Sequence, residues 1–217
     1  MSGKTMTKSA YLNAGFASLL ACILLLIMNF SWPSTDYSVN DVILDNVKLS
    51  DTDKGNFIQA MRVNYTIDTI FIFSWIGAWI GLFLHFKSSD IKLIGMCLGL
   101  SLFGAVLDIS ENTIIFSLLI GNNSDVENYL FIQSLVRDFS YWLPMIAAFV
   151  LAITISGQKG VPVLLLKLTG IIGVLFAIIG MYNQYFSAIP DYWFGIFFLS
   201  AAIFFFDNWK RKFINKS

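Results

Sequence analysis

Gly104-Ala105-Val106-Leu107-Asp108-Ile109-Ser110-Glu111-Asn112 lies inside an apolar run from Leu93 to Ile120 and puts two carboxylates and a carboxamide where lipid or packed protein belongs. A membrane-crossing helix needs only about 20 apolar residues, so this run is long enough to span and tilt. The residues after the polar group, Thr113 to Ile120, are apolar again, so the charges do not mark the helix end. Asp108, Glu111 and Asn112 stand at i, i+3 and i+4 and share one face. That face continues as Ser101, Gly104 and Ala105, small side chains that let another helix approach closely. Charges at such depth are costly and normally face a bundle interior or a wet cavity.

The rest of the composition agrees. Of 217 residues, 57% are hydrophobic and 13% charged, and the mean hydropathy is +0.71. A soluble domain carries about 25% charged residues, so the sequence implies an integral membrane protein whose surroundings are the lipid bilayer. A formal net charge of zero leaves no concentrated basic face for nucleic acid. The single histidine, His85, rules out a multi-histidine zinc site, and no cofactor-binding pattern is present. Cys22 and Cys97 fall in apolar runs at different depths. A disulfide needs Cα atoms about 4.4–6.8 Å apart, so free, buried thiols are expected.

Hydropathy divides the chain into six spans, at 11–30, 66–86, 93–120, 129–155, 162–182 and 190–206, giving an all-α polytopic bundle in a single membrane domain, 1–217. Lys4 and Lys8 before the first run suggest a signal peptide, and Leu19-Leu20-Ala21-Cys22 resembles a weak lipoprotein cleavage site. The run continues unbroken to Phe30, however, which favours a retained signal anchor. Lys4, Lys8, Lys87, Lys92, Lys159, Lys210, Arg211, Lys212 and Lys216 then fall on one side, while segments 121–128 and 183–190 carry no Lys or Arg. By the positive-inside rule both termini are expected in the cytoplasm.

Residues 31–65 form the outer segment. Ser50-Asp51-Thr52-Asp53 reads as a capped helix start, and Phe57, Ile58, Met61 and Tyr65 then recur at helical spacing. An amphipathic helix on the outer face, running into span two, is expected. Gly77-x-x-x-Gly81 in span two and Gly95-x-x-x-Gly99 in span three suit close helix packing within the monomer. In span four Gln133, Ser134, Arg137, Ser140 and Tyr141 share a face beside Asp138, and Pro144 is expected to kink or loosen that helix. Lys167 reads as a snorkelling lysine. Trp32, Tyr141, Trp142, Tyr182, Tyr185 and Trp193 fall at one level, as an interfacial aromatic belt would.

At about 1.5 Å per residue, Asp68, Asp108, Glu111, Asn112, Arg137 and Asp138 all reach the outer third of the membrane. Tyr141 is added as a neighbour, and Asn29, Asn183 and Asp191 fall near the same level. Four carboxylates against one arginine leave negative charge in excess. They must hold protons or a cation, or meet water.

The pattern Tyr65-x-x-Asp68-x-x-Phe71 followed by Leu107-Asp108-x-x-Glu111-Asn112 resembles a group of small multi-pass bacterial membrane proteins with an LDxxEN helix. The likeness covers residues 48–140, and the group has no assigned activity. It implies an arrangement of helices and nothing about chemistry.

Three function classes fit these residues. A binding or transport site for a cation, proton or small polar solute, open to the outer side, is the reading adopted. An Asp–Arg–Glu salt-bridge network stitching spans two, three and four in a structural or accessory subunit is the first alternative. A membrane-embedded enzyme with Asp108 and Glu111 as acid and base is the second, although no nucleophile–base pair is legible. No residue pattern identifies a protein partner.

Overall fold

The computed structural model describes residues 6–31, 42–43, 51–120, 126–182 and 189–214, and every long element among them is an α-helix. In chain order these are α1 (Lys8–Ser31), α2 (Asp51–Phe86), α3 (Ile91–Ile120), α4 (Val126–Thr154), α5 (Val161–Tyr182) and α6 (Ile189–Phe213). Five of them are long and apolar enough to cross a membrane. The other, α5, is 22 residues long, and its stretch Val161–Phe176 is apolar. Leucines, isoleucines and phenylalanines such as Phe16, Ile23, Phe73, Phe103 and Ile153 point outward and are exposed. An apolar exterior on membrane-length helices is the architecture of a multi-pass membrane protein.

Each helix packs on its neighbours in sequence, and α6 closes the circle against α1. Aromatic rings fill the middle. Phe71, Trp75 and Trp79 of α2 meet Phe194, Phe197 and Phe198 of α6, all buried, with Trp79 stacked on Phe197 at 5.3 Å between ring centroids. Small residues set the closest approaches. A Cβ placed on Gly77 would lie 3.1 Å from Ala17, and one on Gly81 would collide with Ala14 and Phe205. The Gly77-x-x-x-Gly81 pair therefore seats α2 on α1 and α6, as expected of packing within one chain. The second pair behaves otherwise: Gly99 has nothing within 4 Å of a Cβ position, and Gly95 meets Phe83 only at 4.0 Å.

One end of the bundle carries the start of α1 and the end of α6. There Lys212 donates to the Tyr11 hydroxyl (2.6 Å), and Tyr11 and His85 Nδ1 are hydrogen-bonded at 2.8 Å. Lysine donates only, so the tyrosine proton goes to His85, which joins α1, α2 and α6. His85 is thus held among Tyr11, Phe86 and Phe204. Lys167 caps the end of α4, donating to the Ser156 and Gln158 carbonyls at 2.7 and 2.6 Å. Asp90 Oδ1 accepts from the Lys92 and Leu93 amides and opens α3.

At the other end the helices differ in reach. With 36, 30 and 29 residues, α2, α3 and α4 outrun α1 at 24, α5 at 22 and α6 at 25. At 1.5 Å per residue α2 is about 54 Å long, against a hydrocarbon core of about 30 Å. The amphipathic stretch expected before span two is the first four turns of α2 itself and runs into the span without a break. Its stripe is used as its spacing implies: Phe57 and Met61 bury against Leu119 of α3 and Val42, with Tyr65 and Ile115 alongside. Cys22 and Cys97 are buried and unpaired.

One expectation needs correction. Trp193 is no belt residue: it is 1% exposed, stacks on Phe197 and donates from Nε1 to the Thr169 carbonyl at 2.7 Å. Gly173 of α5 leaves room for its indole, so packing takes the ring inward. Tyr141 likewise lies against Phe194. Pro144 lies inside α4, where the expected loss of a backbone donor stands, and its ring packs into the space left by Gly104 of α3. Trp32, Tyr185 and Asn183 lie outside the described residues, as do the side chains of Asn29, Tyr182 and Asp191.

The two glycine pairs make the packing testable. Gly81→Leu overpacks the α1–α2–α6 contact and is expected to cost about 1–3 kcal/mol, read as a lowered melting temperature in detergent. Gly99→Leu is expected to leave melting unchanged.

Candidate functional site

The antiparallel register of α2, α3 and α4 brings their polar residues to one level. Trp75 Nε1 donates to Ser101 Oγ at 2.6 Å, and Gly104 faces Ser140 and Pro144. Two turns further along α3, away from the termini, the carboxylates appear. The small stripe Ser101–Gly104–Ala105 thus lies between α2 and α4, and it lets the three helices approach closely enough for short polar side chains to meet.

Asp68 of α2 accepts a hydrogen bond from Asn112 Nδ2 of α3. Glu111, on the other flank of α3, accepts from Gln133 Nε2 of α4 at 2.7 Å. Glu111 is 8% exposed and Gln133 5%, while Asp68 and Asn112 are partly buried. Adjacent residues on α3 therefore reach in opposite senses, one carboxamide to α2 and one carboxylate to α4. Each pair is a carboxylate with a neutral amide, so the donor satisfies one oxygen without cancelling the charge.

Arg137 is placed differently from its sequence reading. Its ion pair is with Asp138 beside it, at 3.8 Å, and both side chains are about half exposed, 48% and 44%. It acts on Glu111 through space rather than by a contact. The rotation of α4, fixed by Pro144 and Ser140 against Gly104, turns Gln133 inward and leaves Arg137 on the flank. Two hydrogen bonds from amides join α2 to α3 and α3 to α4 here. Asp108 lies one turn below Glu111, partly buried and engaged. Tyr141 lies two turns from Gln133, against Phe194.

Two neighbours were not among the expected site residues. Asn64, one turn before Asp68 on the same face of α2, is 3% exposed, and its Oδ1 is buried with no hydrogen-bond partner. The hydroxyl of Tyr65 is buried and unpartnered too, within the field of both Glu111 and Asp68. The signal for Asn64 was present as a polar residue four before Asp68. Gln133 was visible on its face but carried no charge to draw attention.

Among the described residues no group of three or more His, Cys, Asp or Glu side chains is placed to hold a metal ion. Comparison with protein-family models, curated proteins and solved structures gives no match for this chain.

Proposed function

We propose that this chain is a multi-pass protein of the bacterial inner membrane that binds or transports a cation, proton or small polar solute. The site is the polar cluster of α2, α3 and α4. The observation that supports this reading is the pairing of Asp68 and Glu111 with neutral amides among the described residues. A buried ionised carboxylate is very unfavourable without a compensating charge, so these two groups are poised to hold a cationic species. The basic end, with Lys8, Lys210, Arg211 and Lys212, is the cytoplasmic one in this proposal, and the cluster then faces outward. The likeness to LDxxEN proteins adds a bacterial setting to the same proposal.

In liposomes, Asp68→Asn and Glu111→Gln are expected to abolish cation- or proton-dependent uptake while leaving the protein folded. Uptake at the unsubstituted rate in both variants contradicts the proposal. Orientation is read separately. With Cys22 and Cys97 buried, a cysteine at Gly157 is expected to react with an impermeant maleimide only after the membrane is opened.

A second reading is favoured by the same two hydrogen bonds, each of which joins different helices: they act as structural pins. Gln133→Leu then leaves Glu111 without its donor, at a cost of about 1–3 kcal/mol. Under this reading Glu111→Leu with Gln133→Leu recovers most of the lost melting temperature and full function.

A further inference from the structure

We infer that the seam between the start of α1 and the end of α6 holds the headgroup of an anionic phospholipid, with its phosphate against Lys8 and Lys210. The polar cluster of α2, α3 and α4 takes no part in this site. Antiparallel packing of α1 on α6 is what brings the basic residues together. Lys8 Nζ lies over the Trp209 ring, 5.9 Å from its centroid, and Lys212 Nζ lies over the Tyr11 ring at 4.8 Å. Lys210 follows Trp209 and stands one helical turn beyond Phe206 on the same face. Phe206 in turn packs edge-on against Phe16 of α1, with 5.4 Å between ring centroids. All of these contacts join the same two helices.

Positive charge at the seam is unmatched. The acid in the last turns of α6, Asp207, is taken by Arg211 at 2.7 Å, and α1 contains no acidic residue. Lys212 donates to a phenol, which accepts the bond without cancelling the charge. Lys8 and Lys210 are exposed and have no acidic partner among the described residues. In sequence, the flanking stretches 1–5 and 215–217 add Lys4 and Lys216 and no Asp or Glu. Such a concentration in a chain of zero net charge calls for an anion.

The apolar surface beside the lysines selects which anion. Basic pockets between membrane helices bind the headgroups of acidic lipids. Ile203, two turns before Lys210 on the same face, is 42% exposed, and Phe16, about two turns into α1 from Lys8, is 58% exposed. A soluble anion uses the lysines alone. An acidic phospholipid uses both surfaces, with phosphate on the ammonium groups and an acyl chain along Phe16 and Ile203. Trp209, half-buried between them, is the side chain that favours a membrane–water boundary.

The test uses the full chain, purified in a neutral detergent and freed of lipid. Native mass spectrometry counts bound molecules during titration with phosphatidylglycerol, phosphatidylcholine or inorganic phosphate, and thermal unfolding is followed alongside. The expected result is one phosphatidylglycerol held in preference to phosphatidylcholine, with a saturable rise in melting temperature. Lys8→Gln with Lys210→Gln is expected to weaken that binding about tenfold or more, while melting without lipid stays unchanged because both side chains are exposed. Lys92→Gln with Lys159→Gln removes as much charge from the same end of the bundle, where Gln158 donates to Ser89, and is expected to leave binding intact. Equal loss in the two double variants shows a diffuse field and overturns the site. Phosphatidylglycerol binding that survives Lys8→Gln with Lys210→Gln overturns it too. Equal retention of phosphatidylcholine, or the full rise in melting temperature with inorganic phosphate alone, overturns the assignment to an anionic phospholipid.

Discussion

A carboxylate held between membrane-length helices must be given a donor by a neighbouring helix, and in this protein the donors are neutral amides. Asn112 reaches from α3 to Asp68 on α2, and Gln133 reaches from α4 to Glu111 on α3. These two bonds fix the relative height and rotation of three helices in a region where hydrophobic burial alone would permit sliding. They also leave negative charge without a matched cation among the groups they join. Geometry and unsatisfied charge thus come from the same residues, and both the structural and the functional readings descend from them.

The rest of the bundle supports that arrangement by being rigid elsewhere. Gly77 and Gly81 bring α2 onto α1 and α6, and Gly170 brings α5 against the Ala148 backbone of α4. A column of phenylalanine and tryptophan then fills the centre, so α2 cannot rotate without displacing Trp75 from Ser101. At the end carrying the termini, Tyr11, His85 and Lys212 tie α1, α2 and α6. Away from that end the polar cluster lies on α2, α3 and α4, the three longest of the described helices.

Helix number, the continuity of the runs and the face bearing Asp108, Glu111 and Asn112 were legible in the sequence, because hydropathy and a 3.6-residue period state them directly. The level at which Asp68 meets Asn112 was also legible, since rise per residue fixes depth once direction is assigned. Rotation was not. Arg137 and Gln133 share a helix face in projection, and only the contact of Gly104 with Pro144 decides which of them turns inward. Charge counting favoured the arginine, and packing chose the glutamine. Trp193 was misplaced for the same reason, since its position near the membrane boundary says nothing about the space Gly173 opens beside it. Asn64 was missed although it stands four before Asp68, because an uncharged residue draws no attention until its burial is seen.

The most direct measurement is oxidative cross-linking in native membranes of chains carrying Asp68→Cys with Asn112→Cys, or Glu111→Cys with Gln133→Cys, with Cys22 and Cys97 replaced by alanine. Ala17→Cys with Gly77→Cys, whose Cβ positions lie 3.1 Å apart, serves as the control for a close approach. Efficient intramolecular disulfide formation in both polar pairs is the predicted result. Cross-linking of the control while both polar pairs stay reduced would contradict the central claim that side chains of α2, α3 and α4 meet there.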